Sequence, residues 1–230
     1  MPETTANLSG KTILITGAAF DIGKALSLYF ASLGAVILLL DHDARGLNAV
    51  YDELLELGAP TPTIIDVDLA KLEAPVAVSI NNNVLKEFGH LDALIHTANW
   101  TFPLAPLAVY EEQFWQKAMN NMLFAPYLLT QQLLPALNAA PNARVVFSIL
   151  PCGEQAKPFW GPYGAAYAGL HSLCDTWNDE LQSKATRFQT LNTGNVLTQV
   201  RLKHYPAEIQ TNLTLANDSE LMNRYLQAVL

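Results

Sequence analysis

Six short, largely apolar runs punctuate the chain: TILIT (12–16), AVILLL (35–40), TIIDV (63–67), LDALIH (91–96), ARVVFSIL (143–150) and RFQTLNTG (187–194). Most lack the polar alternation of a half-exposed strand, so they predict strands buried on both faces. The stretches between them have a different period. IGKALSLYFASLG places Ile22, Ala25, Leu26, Tyr29, Phe30 and Leu33 three and four residues apart, and Gly34 stands where a helix stops. The repeated unit is strand, turn, helix, strand. It predicts an α/β fold with a single Rossmann-type, doubly wound parallel sheet of six strands and helices on both faces. No repeat, low-complexity tract or linker interrupts it, so one domain over residues 1–230 is expected. The least regular stretch, NWTFPLAPLAVYEEQ (99–113), follows the fourth run at the carboxyl end, where open α/β sheets hold ligands.

Composition narrows the picture. Half of the 230 residues are hydrophobic and 15% are charged, enough apolar material for one substantial core. The net charge of -8, with no run of lysine or arginine, weighs against a nucleic acid or an anionic membrane surface as partner. GAVILLL (34–40) is the longest apolar run and is too short to cross a bilayer, and the opening MPETTANLSG is polar. Cys152 and Cys174 have no metal-ligand spacing and read as small core residues. A cytoplasmic protein with no metal site is expected.

Two stretches carry candidate chemistry. TGAAFDIG (Thr16–Gly23) links the first run to the first helical pattern, the context in which a glycine turn holds an anion on a helix N-terminus. WGPYGAAYAGLHSL (160–173) sets Tyr163 and Tyr167 one helical turn apart, on the same face. Together with Asp41, DVD (66–68), IHTAN (95–99) and NTG (192–194), each ending a strand run, they resemble the short-chain dehydrogenase/reductase (SDR) family from about residue 10 to residue 200. The resemblance implies a nicotinamide dinucleotide site at Gly17, Asp21, Ile22, Gly23, Asp41, Asp66, Val67 and Ala98. It also implies that Tyr163 is the catalytic position, because AGL (168–170), Glu180 and Leu181 continue the family's spacing beyond it. Helices over 112–137 and 163–183 then correspond to those that pair two family subunits, so a homodimer is expected. Family members usually add a last edge strand; DSELMNRYLQAVL (218–230) reads as helix and leaves no residues for it.

The departures from the family concern its chemistry. The family serine thirteen residues before the tyrosine falls on Leu150, the lysine four after it falls on Tyr167, and the active-site asparagine falls on Met122. In the family the tyrosine exchanges a proton with a substrate oxygen while a hydride moves to or from nicotinamide. A nearby ammonium favours the phenolate; without it, roughly one tyrosine in a thousand is ionised at pH 7. Leu150 removes a donor of a kind worth about 2.7–4 kcal/mol where single donors have been deleted. Ser148, Lys157 and Asn121 are possible replacements. Ser148 lies about 6–7 Å back along its strand, Lys157 sits in a loop, and Asn121 needs a bulge to shift its register. None of them is expected to serve.

Asp21 replaces the middle glycine of the turn. Its carboxylate is expected to cap its own helix, occupying the anion site and weakening or abolishing NAD(H) binding. Asp41 either accepts the ribose hydroxyls, favouring NAD over NADP, or caps the turn DHDARG. Asp66 and Val67 either contact adenine or close a loop, and His96 reads as a satisfied core histidine. Two functions remain. The substitutions at Leu150, Tyr167, Met122 and Asp21 favour a catalytically impaired or inactive member that keeps the scaffold for binding or assembly, with a small molecule as possible ligand. The alternative is an NAD-dependent oxidoreductase acting on a small alcohol or carbonyl compound.

Overall fold

The computed structural model describes residues 6–230, so the first half of the polar opening stretch lies outside the described residues. In chain order the elements are β1 (Thr12–Thr16), α1 (Asp21–Ser32), β2 (Val36–Asp41), α2 (Ala44–Glu56), β3 (Thr63–Asp66), α3 (Ala74–Phe88) and β4 (Ala93–His96). They are followed by α4 (Glu112–Met119), α5 (Ala125–Ala139), β5 (Arg144–Ile149), α6 (Gly161–Glu180), β6 (Arg187–Asn192), α7 (Gln199–His204) and α8 (Ser219–Val229). The six strands form one parallel sheet in the order β3-β2-β1-β4-β5-β6, as the apolar runs predict.

Strand side chains alternate between two cores, which is why the runs are apolar throughout. Leu14, Leu38, Leu94, Val145 and Phe147 pack with α3, α5 and α6 on one face. Ile13, Ile15, Ile37, Leu39 and Ile95 pack with α1, α2 and α8 on the other. The chain winds outward from β1 to β3, then crosses back to lay β4 against β1. Thr16 pairs with His96 at the carboxyl end of these two strands, so the strand order reverses there and a crevice opens between their loops.

The helix expected over 112–137 is divided. A π turn over Asn120–Phe124 separates α4 from α5, with the Ala125 amide bonding to the Asn120 carbonyl. Pro126 has no N–H for the Met122 carbonyl, so the regular helical ladder fails at that point. The second helix of the expected pair is continuous over Gly161–Glu180.

Candidate functional site

The site grows from the turn between β1 and α1. Gly17 has φ +70, and a Cβ there would stand 2.7 Å from the Ala98 Cα. A Cβ on Gly23 would collide with the Gly17 carbonyl oxygen. These two glycines let the turn, the start of α1 and the end of β4 meet. The residue capping α1 is Phe20, which offers no side-chain hydrogen bond. The expected self-capping by Asp21 is therefore corrected. Asp21 lies inside the helix at φ +46, and its carboxylate accepts the Gln199 amide at 3.1 Å, the first N–H of α7. Burial raises the Asp21 pKa, and the Gln199 N–H offsets part of that rise.

A cleft of about 510 Å³ runs along the carboxyl ends of the strands. Gly17, Asp21, Ile22, Gly23, Asp41, Val67 and Ala98 all line it, but Asp66 does not. Asp66 ends β3 exposed and is not among the residues lining the cleft, whereas Val67, the residue after the strand, is. Asp41 is 8% exposed and does cap its turn. Its Oδ1 accepts the amides of His42 at 2.7 Å and Asp43 at 3.2 Å, and its Oδ2 accepts Ala19 N–H at 3.2 Å.

At the other end the two tyrosines separate. Tyr163 is fully buried, and its hydroxyl is absent from the cleft lining. The oxygen accepts the Phe102 amide at 2.7 Å, and the O–H donates to the Trp100 carbonyl at 3.1 Å. Burial pushes the phenol pKa far up, and the Phe102 N–H offsets only part of that. Tyr167 does line the cleft, beside Asn99, Leu150 and Trp160. Burial holds its phenol well above the ordinary range as well, with the Asn99 side chain opposing. Met122 is a core residue outside the cleft.

The replacements considered for the missing groups have other partners. Ser148 meets the Tyr225 hydroxyl of α8 at 2.6 Å, and Lys157 is exposed in its loop. The bulge that Asn121 needed is present as the π turn, but Asn121 is buried beside Asn120 and does not line the cleft. His96 is a core residue, but the expectation that it is satisfied holds at only one ring nitrogen: it stacks on Phe147 at 4.7 Å, its Nε2 meets Thr130 Oγ1 at 2.9 Å, its buried Nδ1 has no partner, and burial lowers its pKa to about 3. Cys152 and Cys174 are free and buried. Among the described residues, no three His, Cys, Asp or Glu side chains group as metal ligands, and no helix is long and apolar enough to cross a membrane.

Sequence reading missed the segment that roofs the cleft. Thr198, Gln199, Arg201 and His204 line it from α7 and the residue before it. His204 Nε2 lies 3.0 Å from the Phe102 carbonyl and 3.1 Å from the Tyr163 hydroxyl. A carbonyl only accepts, so Nε2 carries the hydrogen. Trp160 Nε1 donates to the Tyr205 hydroxyl at 3.1 Å and fixes the end of the same segment. No sequence periodicity links positions 21, 163 and 204, and only the fold brings α7 over the turn.

A parallel sheet with its order reversed at a glycine turn, and a tyrosine heading the helix after β5, define a dinucleotide-fold dehydrogenase scaffold. The profile of the short chain dehydrogenase family matches residues 11–208, and the chain belongs to that family. It is 27% identical over 219 residues to "Uncharacterized oxidoreductase YciK" of Escherichia coli, covering 95% of this chain and 86% of the relative. It is 29% identical over 198 residues to the 3-oxoacyl-[acyl-carrier-protein] reductase FabG of Thermotoga maritima, covering 85% and 78%. Among solved structures, a short chain dehydrogenase from Pseudomonas syringae superposes with a TM-score of 0.93 at 32% identity, covering 97% of this chain and 90% of that one. One from Escherichia coli CFT073, complexed with NADPH, superposes with a TM-score of 0.91 at 26% identity, covering 97% and 92%. These relatives are named as oxidoreductases, reductases or dehydrogenases, which favours the oxidoreductase reading over the non-catalytic one that the substitutions had favoured.

The residues present fit a dinucleotide. The glycine turn leads into an uncapped helix N-terminus suited to a pyrophosphate, and Asp41 and Val67 stand at the adenosine end. Asp21 is the misfit, a carboxylate lining the same turn.

Proposed function

We propose that the chain is an NAD(H)-linked oxidoreductase acting on a small alcohol or carbonyl compound, working without the serine–tyrosine–lysine proton machinery of its family. The observation that carries the reading is the single cleft in which the glycine turn, Asp41, Val67 and Ala98 converge with Tyr167, Trp160 and Thr193. A bound nicotinamide dinucleotide supplies the hydride donor or acceptor. The chain's own residues orient it: the turn takes the pyrophosphate, Asp41 takes an adenosine ribose hydroxyl and disfavours a 2′-phosphate, and Leu150 and Trp160 shield the reacting end from water. Asp21 weakens the binding, since its carboxylate faces the pyrophosphate. The free, buried thiols suit a cytoplasmic location, which we include in the reading. We also include a homodimer through α4–α5 and α6, where Phe124 is 49% exposed beside Leu123, Tyr127 and Leu173.

The non-catalytic reading retains one specific support: the phenol at the family's catalytic position is consumed by the Trp100–Phe102 backbone. Calorimetric titration with NAD, NADH and NADPH, followed by turnover assays on simple alcohols and ketones, separates the two. Binding with turnover supports the oxidoreductase. Binding of a dinucleotide with no turnover on any test compound returns the chain to a binding role, and no binding at all removes the cofactor from both readings.

A further inference from the structure

We propose that Asp21 is a latch: its carboxylate straps α7 to the glycine turn, and a dinucleotide has to part the two before its pyrophosphate can settle there. This rests on the nicotinamide-dinucleotide reading above and adds a second, mechanical way in which Asp21 opposes binding, beside the repulsion of two negative groups. Gly17, Asp21 and Gly23 line the cleft from the turn, and Thr198, Gln199 and Val200 line it from α7 and the residue before it. The Gln199 amide donates to Asp21 Oδ2 at 3.1 Å, so the bond bridges the cleft at the helix N-terminus suited to a pyrophosphate.

The bond is a tie between elements and not a cap that either helix needs. Thr198 already caps α7, its Oγ1 accepting the Arg201 N–H at 3.2 Å. The Gln199 N–H is one of the first-turn donors that such a cap leaves over. Asp21 reaches it from φ +46, a left-handed conformation unfavourable for any residue with a Cβ, which persists only where its surroundings fix it. The other anchors of α7 lie on either side of this point. Upstream, Leu197 N–H donates to the Thr214 carbonyl at 2.8 Å and Thr214 N–H to the Asn195 carbonyl at 3.1 Å. Downstream, His204 Nε2 meets the Phe102 carbonyl and Trp160 Nε1 donates to the Tyr205 hydroxyl. Among the described residues, Asp21 makes the one hydrogen bond between the first turn of α7 and the glycine turn.

A carboxylate that holds the Gln199 amide leaves no room for a pyrophosphate against the same turn, so the strapped form competes with the dinucleotide. The apparent affinity then falls with the fraction of molecules that are strapped, and releasing α7 restores it without any new contact to the ligand.

Gln199→Pro tests the latch with the charge of Asp21 left in place. Proline has no N–H to give and is well placed at the first position of a helix. Thr198 before it is already extended, at φ -130 and ψ 160, as a residue preceding proline needs to be. The NADH association rate, read by stopped-flow fluorescence, is expected to rise by a factor of about 3 to 10, the range of one ordinary hydrogen bond in water. In the cofactor-free protein, hydrogen exchange at residues 201–203 should quicken in Gln199→Pro, while β1 and β4 keep their protection. Asp21→Gly, which removes the latch from the other side, should quicken the same amides, and Gln199→Ala, which keeps the N–H, should exchange as the wild type does. Unchanged exchange at 201–203 in both Gln199→Pro and Asp21→Gly would overturn the latch. An unchanged association rate in Gln199→Pro beside a raised one in Asp21→Gly would also overturn it, leaving the cofactor reading standing with charge as the whole effect. NADH binding by none of these proteins, wild type included, would overturn the dinucleotide reading and the latch together.

Discussion

His96 shows how one buried side chain sets a pH response. Its ring is enclosed between Phe147 and Thr130, and burial lowers its pKa from the ordinary 6.5 to about 3. The unfolded chain therefore binds a proton at this residue that the folded chain does not. Stability is full above about pH 6.5 and falls as pH drops toward 3, at roughly 1.4 kcal/mol per pH unit for one proton. Urea midpoints of the wild type and His96→Asn at pH 7 and pH 5 check this; the variant should lose less on acidification. Asp21 makes a second case. It occupies a left-handed backbone position that glycine adopts freely, and it places a partly buried carboxylate on the glycine turn. Asp21→Gly should raise NADH affinity about tenfold, roughly 1.4 kcal/mol. The gain should shrink as pH falls, because the raised pKa lets the wild-type carboxyl protonate and lose its repulsion. Calorimetry at pH 7 and pH 5 measures both effects.

At the scale of elements, the contact between α6 and the loop after β4 explains why the family's tyrosine is out of reach. The loop would otherwise expose the polar backbone of Trp100 and Phe102, and the Tyr163 hydroxyl satisfies both. Tyr163→Phe leaves the Phe102 amide without that partner, at a cost of about 1–3 kcal/mol for an unsatisfied buried donor. Hydrogen exchange should then quicken at residues 100–104 while β4 keeps its protection. Uniform exchange over the whole chain in the variant would show that the phenol supports the global fold instead of this loop. The interrupted α4–α5 helix belongs to the same scale. The residue alternatives at Asn121 and Met122 depended on helical register, and the π turn changed that register without bringing either side chain into the cleft.

At the scale of the molecule, the sheet's reversal at β1 and β4 gathers the carboxyl ends and loops of all six strands and α7 over one cleft. The exposed apolar hollow of Met119, Leu123, Phe124, Tyr127 and Leu173 lies elsewhere, on the helices we assign to the dimer. Phe124→Glu should convert a dimer to a monomer in light scattering at micromolar concentration, since a carboxylate buried in an apolar contact lacks a partner. A wild type that is monomeric under the same conditions would exclude the homodimer.

The sheet, its six strands and the glycine turn were legible along the chain because each depends on local chemistry: continuous apolar runs for strands covered on both faces, and small residues where backbones touch. Seven of the eight residues implied for the cofactor site line the cleft for the same reason, each at or just beyond a strand end or opening a helix, and Asp66 is not among the lining residues. That Leu150 and Tyr167 stand where the family resemblance places a serine and a lysine was also legible along the chain, because spacing within one helix and one loop is a local quantity. Tertiary structure decided what the remaining polar groups do. Asp21 turned from its own helix to the Gln199 amide, the Tyr163 hydroxyl turned to the Phe102 backbone, and His204 came to rest against that hydroxyl. These partners lie 178, 61 and 41 positions apart, and a hydrogen bond forms with whatever donor or acceptor the packed core brings within about 3 Å, a choice that no short-range pattern records.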